Sequence, residues 1–246
     1  MSALLNVQNV SKSFRGLRAV TDVSFEIDPG AIVALIGPNG AGKTTIFNMV
    51  AGALAADSGA ILFEDRPICG LRPDEVCTLG IGRTFQIVKP FAGLSVLDNV
   101  VVGALARHPA APDARERARA VVERVGLGAK AGHPAAGLTL SERKRLELAR
   151  ALATEPALLL LDEVMAGLNP TEIGAIVALV REIHRSGVSI LLIEHNMRAV
   201  MALSHRIVVL NFGEMVAEGP PAAIASHPRV VEAYLGEEYV TAPPAH

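Results

Sequence analysis

The chain has 246 residues, half of them apolar, with 23 Lys and Arg against 25 Asp and Glu and a net charge of −2. That length can bury a sizeable core, that apolar share excludes a disordered chain, and near-neutrality removes the electrostatic case for nucleic-acid binding. Cys69 and Cys77 are too few for a disulfide framework and lack metal-ligand spacing, so they read as reduced thiols of a cytosolic protein.

The opening MSALLNVQNVSKSF is polar and alternating, with no basic stretch leading into an apolar run, so no secretory signal is expected. Residues 4–10 and 22–28 alternate as half-buried antiparallel strands do, and Pro29-Gly30 marks a turn. Residues 31–36 form a solid apolar run, the pattern of a strand covered on both faces. The runs 157–161, 189–193 and 206–210 repeat that pattern, each after a helical stretch, which predicts a parallel sheet with crossover helices. None approaches the roughly 18 apolar residues that a membrane span needs.

From about 88 to 150 strand signals vanish, and 113–125 reads as an amphipathic helix stopped by Gly126. Residues 101–150 carry ten Lys or Arg against five Asp or Glu, either a solvated face or a contact with a partner or anionic headgroups. Farther on, Asn169, Pro170 and Glu172 predict a capped helix start, and Ile173, Ile176, Val177, Val180 and Ile183 recur at helical spacing up to Ser186-Gly187. The tail TAPPAH is expected to fray.

Chemistry concentrates in three places. Gly37-Pro38-Asn39-Gly40-Ala41-Gly42-Lys43-Thr44, with Thr45 following, fits G-x-x-x-x-G-K-[ST] fully. Its glycines let backbone N–H groups turn around phosphates, Lys43 places a charge on the β- and γ-phosphates, and the Thr44 hydroxyl can ligand Mg²⁺. A dinucleotide fold would use G-x-G-x-x-G and would not need the lysine. Leu158-Leu159-Leu160-Leu161-Asp162-Glu163 is a buried strand delivering two acids at its C-terminal end. Asp162 suits the Mg²⁺ shell, and Glu163 suits a base that orients and deprotonates the attacking water.

With these motifs in order, essentially the whole chain resembles the nucleotide-binding subunits of ATP-binding cassette (ABC) transporters. The resemblance implies an α/β P-loop ATPase with a mostly parallel core sheet, an antiparallel β subdomain and an inserted helical subdomain. It implies one ABC ATPase domain over 1–240: core plus β subdomain at about 1–87 and 151–240, helical subdomain at about 88–150, and a flexible tail at 241–246. In Gly82-Arg83-Thr84-Phe85-Gln86, Gln86 matches the family's glutamine loop, sensing the γ-phosphate and Mg²⁺. In Ile193-Glu194-His195, His195 matches the switch histidine that contacts the γ-phosphate and water. Phe14 matches the aromatic that stacks on adenine. ATP and Mg²⁺ are the implied cofactors.

Two segments depart from the family pattern. Its signature Leu-Ser-Gly-Gly-Gln, which completes an ATP site held by the other subunit, aligns with Leu138-Thr139-Leu140-Ser141-Glu142, so neither glycine survives. Leu140 and Ser141 carry side chains where close approach is wanted, and Glu142 brings a carboxylate toward phosphate; alternatively Ser141 is an N-cap and Glu142 favours a first turn. Asn169 stands where the family usually has aspartate. AGLNP, IEHNM, GRTFQ, KPFAGLSVLDNV and EAYLGEEY resemble the branched-chain amino acid branch of importers, with urea, amide and aromatic-acid transporters as relatives. The implied partners are a second ATPase subunit, identical or different, two transmembrane permease subunits and an external solute-binding protein, with no nucleic acid. The implied place is peripheral, at the cytoplasmic face of the inner membrane. A soluble cassette protein acting on DNA or ribosomes, and a regulatory subunit that binds ATP without hydrolysing it, are the other classes.

Overall fold

The structure is a computed structural model and describes residues 2–84 and 90–230. Strands β1 (Leu5–Phe14), β2 (Leu17–Ile27), β4 (Ser58–Phe63) and β5 (Arg66–Pro67) form an antiparallel sheet in the order β2-β1-β4-β5. Strands β3 (Ile32–Ile36), β6 (Ile81–Arg83), β7 (Leu158–Asp162), β8 (Ser189–Ile193), β9 (Arg206–Asn211) and β10 (Glu214–Gly219) form a second sheet, ordered β10-β9-β3-β8-β7-β6. All its pairings are parallel except that of β10 with β9.

The unbroken apolar runs follow from this layering. Ile32, Ala34 and Ile36 of β3 join one core with the helices, while Val33 and Leu35 join the other, beneath the antiparallel sheet. In β7, Leu159 and Leu161 face the first core and Leu158 and Leu160 the second. A strand with a core on each side has no position for a polar residue until it ends.

Helix α1 (Lys43–Val50) follows β3, and α2 (Pro73–Leu79) precedes β6. Helices α3 (Val96–Ala104), α4 (Ala111–Arg124) and α5 (Leu140–Leu152) pack together between β6 and β7. Then α6 (Pro170–Arg185) leads to β8, α7 (Met197–Leu203) to β9, and α8 (Pro221–Ala225) follows β10. No helix among the described residues is long and apolar enough to cross a membrane.

Local sequence accounts for the ends. Asn169 caps α6: its side chain accepts from Glu172 N–H at 3.0 Å and Glu172 accepts from Asn169 N–H at 3.0 Å, the reciprocal pattern expected of that sequence. The helix expected over 113–125 starts two residues earlier, because Ala110 is already extended and Pro112 fits the first turn.

Half of the ten basic residues of 101–150 pair with acids within the fold. Arg115 meets Asp98 at 2.7 Å, Arg124 meets Glu182 at 3.0 Å, Lys130 meets Glu142 at 2.5 Å and Arg150 meets Glu147 at 2.9 Å. Arg117 pairs with Glu155. The solvated-face reading fits these pairs better than a surface kept for lipid headgroups.

Candidate functional site: a phosphate loop facing two acids and a histidine

The loop 37–42 is wedged between β9 and β2. Gly37 has φ 151°, and a Cβ there would lie 2.2 Å from the Leu210 carbonyl oxygen of β9; Gly42 has φ 99°, and a Cβ would lie 2.5 Å from the Ala19 carbonyl oxygen of β2. Both contacts are to backbone, so the loop's path depends on bare glycine. Gly42 occupies the cap position of α1, whose first turn holds no acid, so its positive end is not cancelled. The buried Lys43 ammonium folds back over the loop and donates to the carbonyls of Gly37 at 2.6 Å and Pro38 at 2.8 Å. Pro38 is half-buried, Asn39 and Gly40 are exposed at the tip, and Ala41 is buried with its N–H donating to Pro38 O at 3.2 Å. Thr44 is exposed and Thr45 half-buried on the first turn.

The acids stand two strands away on the same edge. Asp162 pairs with Ile193 across β7 and β8, so Glu163 and His195 emerge together just past the strand ends. Asp162 is buried; its N–H donates to Thr84 Oγ1 at 3.1 Å, and its Oδ2 lies 3.3 Å from Arg83 Nη2. Burial pushes its carboxyl upward, and the Arg83 guanidinium opposes that. Its other oxygen, Oδ1, is buried with no hydrogen-bond partner among the described residues. An orphaned carboxylate oxygen, with the Thr44 hydroxyl exposed at the helix start, is the kind of hard-oxygen donor set that suits Mg²⁺.

Glu163 adopts φ 50°, left-handed for a residue with a side chain. Its N–H donates to Ile193 O at 3.0 Å, continuing the ladder one step beyond β7. Its Oε1 lies 3.1 Å from His195 Nε2, and since a carboxylate accepts, Nε2 carries the proton in that contact. Next to His195, Glu194 is buried and accepts from Met165 N–H at 2.9 Å.

Burial pushes the Glu194 carboxyl from 4.5 up to about 7, against the pull of the Met165 and His195 N–H groups and of Lys144. A carboxyl raised in the folded state contributes stability below its unfolded value and loses it as pH climbs to the folded one. The expected loss is about 3 kcal/mol across that window, at about 1.4 kcal/mol per pH unit. Urea unfolding of the wild type and Glu194→Gln should therefore differ by about 2–3 kcal/mol more in the variant's favour at about pH 8 than at about pH 5. A difference that does not move with pH would remove burial of an ionisable Glu194 as the cause.

Phe14 ends β1 with its ring 45% exposed, across from Leu17 at the start of the strand whose Ala19 carbonyl abuts Gly42. The Lys12 ammonium lies 5.8 Å from the ring centroid, and the exposed part of the ring offers a stacking face for a base. Gln86 lies outside the described residues, as do EAYLGEEY and the tail. The segment 138–142 corrects one expectation: Thr139, and not Ser141, caps α5. Thr139 Oγ1 accepts from Glu142 N–H at 3.3 Å, and the Glu142 carboxylate accepts from Thr139 N–H at 3.0 Å. Ser141 is already the second residue of the helix, past the capping position, and it is buried. Leu138 is extended just before the cap, and Leu140 is exposed. Glu142 is held low first by Lys130 and then by the Thr139 N–H, so its charge is already matched. Sequence reasoning passed over Arg83, Lys144 and Glu194, although two of them stand inside quoted motifs.

A phosphate cradle at the C-terminal edge of a parallel sheet, with two acids and a histidine on that same edge, defines a nucleoside triphosphatase of the P-loop class. The ABC transporter family matches residues 20–166, and a branched-chain amino acid ATP-binding cassette transporter family matches 214–240. The chain is 40% identical to the high-affinity branched-chain amino acid transport ATP-binding protein LivG of Escherichia coli K12, over 95% of this chain and 98% of LivG. It is 37% identical to BraF of Pseudomonas aeruginosa, described in the same words, over 95% and 98%. Among solved structures, an ABC transporter cassette in its ADP conformation superposes with a TM-score of 0.87 at 30% identity, covering 96% of this chain and all of that one. The chain belongs to the ABC transporter family, as an ATP-binding, ATP-hydrolysing subunit.

Proposed function

We propose that this chain is the motor subunit of a bacterial importer for branched-chain amino acids, working peripherally at the cytoplasmic face of the inner membrane. The observation that carries the motor reading is the convergence of Lys43 and Thr44, Asp162 and Glu163, and His195 at the C-terminal ends of β3, β7 and β8. The loop amides and Lys43 bind the phosphates, and Phe14 stacks on the adenine. Thr44 and Asp162, with Gln86, would hold Mg²⁺, which would offset phosphate charge. Glu163 takes the proton of the attacking water, and His195, within 3.1 Å, fixes that carboxylate's rotamer.

A second ATPase subunit supplies the opposing face. Leu138, Thr139, Leu140, Ser141 and Glu142 stand at the start of α5, whose positive end would meet the partner's γ-phosphate. Two permease subunits and an external binding protein complete the importer. The exposed Phe91, Leu94, Val102 and Leu105 beside α3 provide apolar area for the permease contact. The cargo is supported by the names of LivG and BraF and by the match over 214–240.

The test is reconstitution in vesicles with the permease subunits and binding protein that co-purify with it. ATP-driven uptake of labelled leucine, isoleucine or valine is the expected result. Uptake of urea or an amide alone would overturn the cargo, and uptake indifferent to ATP would overturn the motor.

A further inference from the structure

Lys144 is a cation placed where a helix surface residue would not be. It sits in the second turn of α5, is 4% exposed, and its Nζ donates to the backbone carbonyl of Glu163 at 2.8 Å. Burial works against its charge, and the acids around it, Glu194, Glu163, Asp162 and Glu147, work to keep it. A buried lysine that donates to a backbone carbonyl constrains the peptide that carries it.

The carbonyl belongs to a residue in an uncommon conformation. Glu163 has φ 50°, and its peptide neighbours are held from three directions. Its N–H donates to Ile193 O at 3.0 Å, its C=O accepts from Lys144, and two residues on the Met165 N–H is taken by the buried Glu194 carboxylate at 2.9 Å. Left-handed backbone persists only where its surroundings over-determine it. The Lys144 bond is the one of the three that comes from the helical layer. It therefore links the helix that begins at 138–142 to the peptide carrying the carboxylate beside His195.

We propose that Lys144 is a positioning residue for hydrolysis: it fixes the Glu163 peptide, aims the Glu163 carboxylate, and makes that aim depend on where α5 sits. This rests on Glu163 acting as the base. When α5 shifts against the core, the ammonium carries the carbonyl with it. The N-terminal turn of α5 thus reports its own docking to its own subunit's water-activating group. Glu194 balances the ammonium's charge and holds the far side of the same turn.

The experiment uses the assembled transporter and compares the wild type with Lys144→Met, Lys144→Arg and the double variant Lys144→Met with Glu194→Gln. The expected result for Lys144→Met is a fall in kcat on the order of 10- to 100-fold with KM for ATP nearly unchanged, as misaimed groups give. Lys144→Arg, which still donates to the carbonyl, should recover most of that loss. The double variant removes the buried acid that Lys144→Met leaves without its cation, so it should recover thermal stability and leave kcat low. Recovery of kcat along with stability would overturn the proposal and leave Lys144 a counter-ion. A raised KM with intact kcat would overturn it as well. Lys144→Met added to Glu163→Gln should slow turnover no further, since it acts through that carboxylate; a further loss would also overturn the proposal. Failure of the base assignment appears separately, as normal turnover in Glu163→Gln alone.

Discussion

Glu163→Gln in the assembled transporter should lower ATP turnover by about 10²- to 10⁴-fold, the usual contribution of a positioned general base. Nucleotide affinity should stay within about threefold, because the carboxylate stands apart from the loop amides and Lys43 that grip the phosphates. Gln keeps the shape and can still accept from His195 Nε2, now 3.1 Å from Oε1, so the backbone should not rearrange. What it loses is the capacity to take a proton. Single-turnover hydrolysis and equilibrium binding of a fluorescent ATP analogue, measured on one preparation, separate the two quantities. Unchanged turnover would remove Glu163 from the chemistry, and a parallel loss of binding would point to a structural role.

Gly37→Ala should cost about 4 kcal/mol of stability, combining about 2 for a disfavoured backbone conformation and about 2 for overpacking. The added Cβ would come 2.2 Å from the Leu210 carbonyl, a backbone atom of a strand paired with β10, so no side chain can swing aside. Gly174→Ala is the matched control. It lies within α6, has no atom within 4 Å of its added Cβ, and should gain about 0.5–1 kcal/mol from helix propensity. Urea denaturation of both variants reads the contrast. Equal behaviour would mean that the loop can move away from β9, and so that its shape is not set there.

Much of the site could be read from sequence because its parts announce themselves locally. The loop glycines have a fixed spacing, β7 is apolar until it reaches two acids, and Asn169 caps α6 through residues three apart. The rest is invisible to local pattern. Strand β6 is three residues long, and β4 and β5 turn on Glu64 and Asp65, whose positive φ is not marked by glycine. The edge strand β10 has no fully buried residue to mark its period. Ser141 looked like a cap because serine favours that place; Thr139 takes it because Glu142, three residues on, completes the reciprocal bond. Lys144, Arg83 and Glu194 acquire meaning only from partners brought in by the fold. Lys144 and Glu163 are 19 residues apart, and Arg83 and Asp162 are 79 apart.

The register of β7 against β8 has a consequence for how variants of this chain fail. Asp162 lies on the face of the sheet shared with Leu158 and Leu160, toward the core that includes α1 residues Ile46 and Phe47. A slip of one residue would turn it to the opposite face, into the apolar packing of the helices, and would set Leu161 in its place. Such a slip would bury a charge in that apolar packing, so the misregistered chain should be cleared as unfolded protein and should not survive as a sluggish enzyme. Screens that first select for soluble, protease-resistant variants will therefore already have selected for correctly placed acids. The inactive survivors of such a screen should cluster at side-chain identity, at Glu163, His195, Lys43 and Lys144, and should be rare along the strands themselves.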